Sequence, residues 1–398
     1  MKVLFLVADG MGDWPDKDSG KTPMEVAATP NMDELAKTGI VGTCKTIPDG
    51  MPAGSDVANM SLVGYDPARW HTGRGPIEAA AQGIESHKDD LIWRMNTVRI
   101  SEFKEKGTMY DYSASHISSD ESIPLVQELN AICPDGFEMI PGIQYRHLLI
   151  QKNGANSPEA KLEITPPHDI TDQPIQQDVQ EFKKSDVLTK LMLDAEDFLT
   201  SDKNTTKANS IWPWGQGGPL MLPSFQETYG LDGAVISAVD IIRGLGFASK
   251  LQAPIVEGAT GMLDTNYEGK VDKALEVLKD HQFAFVHLEG PDECGHAGDF
   301  KDKTEAIARF DARILGPLRE ALKDEEILFI ITCDHFTPIE IKTHSPDPVP
   351  FILHYPGCDS SGLEEFSEKN AISTGLCIEE GYTLLKWCLN KAGIAENQ

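Results

Sequence analysis

Four apolar runs set the strongest limit on the fold of this chain, because they are short, continuous and widely spaced. They are KVLFLVAD (2–9), FAFVHLEG (283–290), EILFIITCDH (326–335) and PVPFILH (348–354). Runs of this kind are typical of strands that are buried on both faces of a parallel sheet. The segment KTEAIARFDARILGPLREAL (303–322) has helical periodicity. Strands that alternate with helices predict an α/β fold with a doubly wound core sheet.

The middle of the chain has a different pattern. Strand pairs and a helix are predicted there, over residues 90–114, 137–153 and 186–201. Hairpins together with helices are typical of an α+β module. We therefore predict a smaller inserted α+β domain at residues 94–207 and a discontinuous core formed by residues 1–93 and 208–398.

The formal net charge of the 398 residues is −28, which argues against a nucleic-acid partner. No apolar run reaches the ~18 residues that a membrane-spanning helix needs, so no membrane partner is predicted. Seven scattered cysteines without a CxxC motif, and an N-terminal run without a signal-peptide cleavage site, fit a reducing cytoplasm. A small phosphorylated substrate is compatible with this charge if its site is locally positive, and metal ions can supply that charge.

Asp and His residues cluster where the predicted strands end. The candidate metal ligands are Asp9, Asp292, His296, Asp334, His335 and His344. Each alone could be a turn, cap or solvated loop residue. However, ligands of open α/β sheets bind beyond the carboxyl ends of the strands, so these segments should converge at one edge. Mixed carboxylate and imidazole ligands fit Zn or Mn, whereas the nearby Cys294 and Cys333 are interpreted as packing residues.

Ser55 lies in MPAGSDVANMSLVGYDP (51–67), behind Pro-x-Gly and in front of a short helical run. As a helix N-cap, its hydroxyl would accept from free backbone N–H groups. At a helix N-terminus it would also face unpaired donors and the positive end of the dipole, where a phosphate is stabilised. Beside two metal ions, the same hydroxyl could be the nucleophile of a phosphoryl transfer. Both interpretations, cap and nucleophile, are open at this point.

Motifs along nearly the whole chain, taken together, resemble one enzyme family. They are VADGMGD, KTPMEVAATPNMDELAKTG, PAGSDVANMSLVGYDP, TGRGPIEAAAQG, PPHDI, EGATGMLDTNYEGK, DECGHAGD, DHFTP and THSPDPVPF. In this order they are similar to the archaeal-type cofactor-independent (2,3-bisphosphoglycerate-independent) phosphoglycerate mutases of the alkaline phosphatase superfamily. The resemblance implies an alkaline-phosphatase-like core with an inserted lid-like domain. It also implies a phosphoserine intermediate and two divalent metal ions, usually Mn, with Zn or Mg as alternatives.

The resemblance further implies roles for individual residues. One metal site would be formed by Asp9, Ser55, Asp334 and His335, and the other by Asp292, His296 and His344. Arg74, Arg94 and Arg146 match family arginines that would bind the substrate, and Arg243 is a further arginine available for it. Guanidinium forks suit phosphate and carboxylate groups, and the alternative for each arginine is a surface ion pair.

Three departures from the archaeal pattern bear on the substrate. Asn59 stands where those proteins tend to carry a histidine, and Ser115-His116 stand where Gly-Arg is common. IWPWGQGG (211–218) stands where they carry an arginine-containing RGAG stretch. Trp212 and Trp214 in this last segment could pack at the domain junction or shape a pocket for a less charged substrate.

We predict a metal-dependent mutase that interconverts 3-phosphoglycerate and 2-phosphoglycerate, with Ser55 taking and returning the phosphoryl group. The first alternative is a homoserine kinase-type phosphotransferase on the same scaffold, as proposed for some bacterial relatives with such departures. A kinase must also bind a nucleotide, but the sequence has no Walker-type Gly-rich motif. The second alternative is a non-catalytic metal-binding or scaffolding protein, and the full set of ligand residues argues against it.

Overall fold

The predicted strands are present in the computed structural model, which describes residues 1–84 and 86–394. Its strands, numbered in chain order, are β1 (Lys2–Ala8), β2 (Ile40–Cys44), β3 (Leu91–Ile100), β4 (Met109–Asp111), β5 (Phe137–Ile140), β6 (Arg146–Gln151), β7 (Ser210–Gly217), β8 (Gly233–Ile236), β9 (Phe283–Leu288), β10 (Ile327–Thr332), β11 (Val349–His354) and β12 (Cys377–Ile378). The four apolar runs of the sequence form β1, β9, β10 and β11, as predicted.

Helices connect most of these strands. They are α1 (Pro23–Val26), α2 (Pro30–Thr38), α3 (Ser55–Leu62), α4 (Pro67–Trp70), α5 (Arg74–Ala81), α6 (Ser119–Asn130), α7 (Gln176–Phe182), α8 (Asp186–Leu199), α9 (Phe225–Tyr229), α10 (Asp240–Ala248), α11 (Tyr267–Asp280), α12 (Gly290–Ala297), α13 (Phe300–Arg309), α14 (Gly316–Ala321), α15 (Glu368–Ser373) and α16 (Leu384–Lys391). The helix predicted over 303–322 is divided into α13, a π-helical segment (Phe310–Leu315) and α14. Across the described residues, no helix combines the length and the apolar character needed to cross a membrane.

The chain divides into two units. The first unit consists of Met1–His71 and Met221–Gln398, and the second of Thr72–Leu220. The predicted domain limits at residues 94 and 207 therefore lie inside the second unit rather than at its ends. Strand pairing is the physical reason, because β7 is antiparallel to β3 and α5 packs against both strands.

The sheet of the first unit has, within the described residues, seven strands in the order β12-β2-β11-β10-β1-β9-β8. β1 lies between β9 and β10 and is parallel to both. β11 is antiparallel to β10 and to β2. Residues 3–8 of β1 are fully buried, as expected for a central strand that is covered on both faces. The parallel centre of this sheet confirms the α/β prediction for the core.

The second unit is built on a sheet of its own. Its strand order is β4-β3-β6-β5, with β7 also paired with β3, and the pairs are antiparallel. Apolar side chains of these strands pack with those of α6, α7 and α8 in a cluster that includes Trp93, Phe182 and Trp212. This arrangement of hairpins and helices confirms the α+β prediction for the insertion.

Candidate active site

Asp9, Asp334 and His335 lie at the carboxyl edge of the core sheet. Asp9 follows β1 and the other two residues follow β10, and these strands are parallel neighbours. One ligand atom of each residue lies within 4.8 Å of the others. His335 Nε2 is 3.5 Å from Asp9 Oδ1 and 3.4 Å from Asp334 Oδ2. The structure thus brings together three of the four residues assigned to the first metal site.

Asp292, His296 and His344 reach the same edge by other routes. Asp292 and His296 are four residues apart on α12, which follows β9, so they share one face of the helix. His344 precedes β11, and because β11 is antiparallel to β10, its beginning lies beside the end of β10. His296 Nε2 is 3.0 Å from His344 Nε2 and 3.3 Å from Asp292 Oδ2. His335 also lies within 4.8 Å of ligand atoms of Asp292 and His344, so it borders both groups rather than only the first.

The buried carboxylates of these two groups repel one another, because all carry the same charge when ionised. Burial raises the pKa of Asp9 well above its usual range, and the charges of Asp334 and Asp292 act in the same direction. Burial also disfavours the ionised form of Asp292, but hydrogen bonds from His296 and His344 outweigh it and hold the pKa of Asp292 well below its usual range. Asp9 Oδ1 is buried and has no hydrogen-bond partner among the described residues. This oxygen without a partner, together with the neighbouring carboxylates and imidazoles, forms a set of ligand atoms that suits a divalent cation. The residues therefore fit metal ions.

Ser55 is the first residue of α3, and the N-cap of this helix is Gly54. The interpretation of Ser55 as the helix cap is therefore wrong, because the cap position falls one residue earlier. The Ser55 hydroxyl oxygen lies 3.2 Å from His335 Nε2. The hydroxyl is thus next to the ligand groups and at the N-terminus of a helix, whose first backbone N–H groups have no partner within the helix.

Sequence reasoning missed two residues that support the ligands. His287 in β9 is fully buried, and its Nε2 is 3.0 Å from Asp9 Oδ2. Burial lowers the pKa of His287 to about 3. The Thr337 hydroxyl donates to the Asp292 carboxylate and lies 3.2 Å from His335 Nδ1. A histidine inside the otherwise apolar run FAFVHL was the available signal for His287, whereas Thr337 gave no signal of its own.

Asn59, which departs from the archaeal pattern, is fully buried on α3. Its amide nitrogen donates to Asp334 Oδ2 at 2.7 Å and to the Ser55 carbonyl oxygen at 3.0 Å. It therefore links the helix of Ser55 to a ligand carboxylate. Unlike a histidine, an amide supplies this donor independently of pH.

Cys294 and Cys333 are buried and free, in agreement with their interpretation as packing residues. Burial raises the pKa of Cys294 to about 11 and places the pKa of Cys333 well above its usual range. Neither residue belongs to the two ligand groups at the sheet edge.

Arg74, Arg94 and Arg146 lie in the second unit. Arg94 in β3 is 6% exposed, and its Nη1 is 2.7 Å from Glu78 Oε1. Burial lowers the pKa of Arg94 to about 10, and the charges of the other two arginines act in the same direction. Arg74 begins α5, and Arg146 begins β6, where it is opposite a residue of β3. Arg94 is therefore not part of a surface ion pair, because both it and its partner Glu78 are buried.

Arg243 lies on α10 of the first unit, and α10 packs against α3. Its Nη1 is 3.2 Å from Asp240 Oδ1 in the same helix. Its Nε is buried and, in the part of the chain that the structure describes, has no hydrogen-bond partner. Arg243 is outside both ligand groups, and its assignment to the substrate stays a prediction.

Known proteins match this chain over nearly its whole length. Residues 1–384 match the Metalloenzyme superfamily. The chain is 41% identical, over 404 residues, to a probable 2,3-bisphosphoglycerate-independent phosphoglycerate mutase of Geobacter sulfurreducens, with 98% of this chain and 100% of that one covered. It is 46% identical, over 384 residues, to the 2,3-bisphosphoglycerate-independent phosphoglycerate mutase of Methanosarcina barkeri, with 93% and 95% covered.

Two solved structures share the fold. A protein from Pyrococcus horikoshii is 29% identical, with a TM-score of 0.82 and coverage of 100% of this chain and 98% of that one. The cofactor-independent phosphoglycerate mutase from Thermoplasma acidophilum is 24% identical, with a TM-score of 0.66 and coverage of 99% and 100%.

Proposed function

Because this chain belongs to the family of 2,3-bisphosphoglycerate-independent phosphoglycerate mutases, we propose that it interconverts 3-phosphoglycerate and 2-phosphoglycerate through a phosphoserine at Ser55. The observation that carries the proposal is the position of the Ser55 hydroxyl, 3.2 Å from His335 Nε2 and in the first turn of α3. A phosphoryl group at this point meets the positive end of a helix dipole as well as the ligand groups. The substrate is then a small phosphorylated acid.

We assign two divalent metal ions to the sheet edge. One ion would be held by Asp9, Ser55, Asp334 and His335, and the other by Asp292, His296 and His344. When bound, such ions lower the pKa of a coordinated hydroxyl and neutralise the charge of a transferring phosphoryl group. Mn is our first choice and Zn or Mg are the alternatives, because carboxylates suit Mn and Mg while imidazoles also suit Zn.

The proposed transfer needs no second substrate, because each bond that forms is matched by a bond that breaks. In the first step the Ser55 oxygen bonds to phosphorus, the bond between phosphorus and the C3 oxygen breaks, and the serine proton ends on that oxygen. In the second step the C2 oxygen of the retained glycerate bonds to phosphorus, the bond between phosphorus and the Ser55 oxygen breaks, and the proton of the C2 hydroxyl returns to Ser55. Water must be excluded between the steps, because its attack would release inorganic phosphate.

We propose that the arginines of the second unit bind the glycerate carboxylate, which makes this unit the substrate-binding, lid-like part of the enzyme. Arg94 is buried, and its Nε has no hydrogen-bond partner among the residues described. Planar guanidinium edges match carboxylates, so Arg94→Lys should raise the KM for 3-phosphoglycerate about tenfold. The affinity for glycerol 3-phosphate, which has no carboxylate, should not change. Arg99→Lys, at an exposed position of the same strand, is the matched control.

One assay panel separates the mutase from its alternatives. The Mn-loaded protein is incubated with 3-phosphoglycerate alone, and separately with homoserine and ATP, and the products are followed by phosphorus NMR. Formation of 2-phosphoglycerate without a nucleotide is expected. ATP-dependent phosphorylation of homoserine, with no action on 3-phosphoglycerate, would replace the proposal with a kinase. If the protein shows neither activity and binds no metal, it is a non-catalytic protein.

Ser55→Ala tests the nucleophile, and Ser61→Ala in the same helix is the control. Ser61 is buried, and its hydroxyl donates to the Thr46 carbonyl oxygen at 2.6 Å, so its loss affects packing rather than chemistry. We expect Ser55→Ala to lose both the turnover and the phosphoserine detected by mass spectrometry, and Ser61→Ala to keep both. Turnover by Ser55→Ala at the rate of the control would remove Ser55 from the reaction.

We also propose that the protein acts in the cytoplasm. Cysteines that are buried and free, such as Cys44, Cys333 and Cys388, are typical of a reducing compartment. Cell fractionation tests this location, and recovery of the protein outside the cytoplasmic fraction would contradict it.

A further inference from the structure

The segment WPWGQG (212–217) forms most of β7, and its two tryptophans have different polar neighbours. Trp212 lies in the apolar core of the second unit, where its indole N–H donates to the Thr165 carbonyl oxygen and its ring packs 5.5 Å from that of Phe182. Trp214 belongs to the same apolar cluster, but its ring also faces the guanidinium groups of two arginines. Trp212 is therefore a packing residue, and Trp214 needs a separate explanation.

Two guanidinium groups lie over the ring of Trp214. The Cζ atom of Arg94 is 4.9 Å from the ring centroid, and that of Arg74 is 5.7 Å from it. The indole N–H donates to Asn96 Oδ1 at 3.1 Å, which fixes the orientation of the ring. Arg94 and Trp214 are also directly opposite each other in the β3–β7 pair. The indole thus contacts two cations from different elements, at distances where cation–π attraction is effective.

Glycines in two distant motifs make this arrangement possible. A Cβ atom on Gly217 of WPWGQG would lie 1.8 Å from the carbonyl oxygen of Thr72, the first residue of TGRGP. A Cβ atom on Gly75 would lie 2.6 Å from the backbone nitrogen of Arg94. Only glycine allows backbones to approach so closely. The start of α5, and with it Arg74, is therefore held directly against β7 and β3.

The two arginines keep donors for a ligand. The Nε atoms of Arg74 and Arg94 are both buried and, among the described residues, have no hydrogen-bond partner. Glu78 Oε1 lies 2.7 Å from Arg94 Nη1 and 3.7 Å from Arg74 Nε, so one carboxylate is shared between two guanidinium groups. A buried and unpaired N–H on a charged group is costly unless a further acceptor is present. An incoming oxyanion would supply that acceptor.

We infer that Trp214 is a positioning residue, which holds the guanidinium groups of Arg74 and Arg94 in place so that their Nε–H groups donate to one substrate carboxylate. The inference rests on the proposed function for the identity of that carboxylate. The aromatic face of Trp214 orients arginines that come from two different elements, α5 and β3. Without that face, the flexible side chains would lose conformational entropy on binding, and the affinity would fall.

Trp214→Leu, Trp214→Phe and Trp212→Leu test the inference. Trp214→Leu removes the aromatic face, and we expect the KM for 3-phosphoglycerate and the Kd for D-glycerate, measured by calorimetry, to rise about tenfold. The kcat should change by less than about threefold, because the residue does not touch the reacting phosphoryl group. Trp214→Phe keeps an aromatic face and should recover most of the affinity. Trp212→Leu loses core packing, so it controls for a general loss of stability.

The outcomes separate the two proposals. If Trp214→Leu has the same KM and the same glycerate Kd as Trp212→Leu, the inference is overturned, whatever the activity of the wild type. If Trp214→Phe is as impaired as Trp214→Leu, the aromatic face is not the operative feature and the inference is also overturned. If the wild type does not convert 3-phosphoglycerate but binds glycerate about tenfold more tightly than Trp214→Leu, the proposed function fails and the role of Trp214 is retained.

Discussion

Lys303→Met tests how the segments that carry the metal ligands are held together. Lys303 on α13 is fully buried. Its ammonium group donates to the carbonyl oxygens of Gly12 at 3.0 Å and Thr337 at 2.8 Å, and to the Asp13 carboxylate at 2.7 Å. Gly12 and Asp13 follow β1, and Thr337 follows β10. One cation therefore bridges the two segments from which the first ligand group comes.

The expected loss of stability in Lys303→Met depends on the buried groups that lose their partner. Methionine keeps an unbranched apolar side chain, but Asp13, which is 1% exposed in its side chain, loses its cation. Removal of one partner of a buried ion pair costs about 3–5 kcal/mol. Asp13 still accepts from the backbone N–H groups of Trp14 and Ile339, which limits the loss. The two carbonyl oxygens that lose a donor add to it, so we keep the estimate at about 3–5 kcal/mol.

Urea unfolding measures this loss, with Lys301→Met as the control. Lys301 lies two positions earlier in the same helix and is exposed, so its substitution should change the free energy of unfolding by less than about 0.5 kcal/mol. A double variant, Asp13→Asn with Lys303→Met, should recover part of the loss because the uncompensated charge is gone. Equal unfolding free energies for the two single lysine variants would refute the reasoning.

Three further substitutions have defined outcomes. Burial raises the pKa of Glu368 from its usual 4.5 to about 7, so the folded state binds this proton more tightly than the unfolded state. This difference in pKa contributes about 3 kcal/mol to the free energy of unfolding, which is present below pH 4.5 and is lost as the pH rises through 7. Glu368→Gln has no carboxyl group to titrate, so it should remove this pH dependence. Urea unfolding measured between pH 5 and 8 checks it. Gly217→Ala should destabilise the second unit by about 1–3 kcal/mol through a backbone clash, whereas Gly218→Ala, which meets nothing within 4 Å, should not. His296→Ala should lower the metal content measured by mass spectrometry, whereas His281→Ala should leave it unchanged, and equal metal contents would remove His296 from the ligands.

Much of the core could be predicted because burial leaves a local signature. Apart from Lys2 and Thr332 at their ends, β1 and β10 are apolar, so the positions of Asp9, Asp334 and His335 after them could be predicted from the sequence. The general rule for open α/β sheets then places these residues at one edge. His344 was a weaker prediction, since it precedes its strand. It reaches the site only because β11 is antiparallel to β10, and strand direction has no local signature.

The limits of the second unit and the arginine cluster depend on contacts between distant segments. Nothing in TGRGP or in WPWGQG alone indicates that their backbones touch, because a glycine that allows a close approach looks like a glycine in a turn. The burial of Arg94 could not be predicted from the local sequence either, since it follows from the pairing of β3 with two other strands. Likewise, residue preference alone allowed Ser55 to be the helix cap, whereas the structure places the cap at Gly54.

Asn59→Asp offers a separate test of whether the sheet edge holds metal ions. The amide of Asn59 donates to Asp334 Oδ2 at 2.7 Å, so an aspartate in its place would put two carboxylates in contact. In the metal-free protein this substitution replaces a hydrogen bond with repulsion in a buried site, and we expect it to lower the free energy of unfolding by several kcal/mol, about 3 or more.

Asn31→Asp is the matched control for that test. The Asn31 amide donates to Asp311 Oδ2 at 2.9 Å, so this variant creates the same carboxylate pair outside both ligand groups. Added Mn should restore the thermal stability of Asn59→Asp, because a cation at the adjacent group offsets the new negative charge, but it should not restore that of Asn31→Asp. If Mn stabilises the two variants equally, its effect is not localised at Asp334, and the metal assignment at this edge would have to be withdrawn.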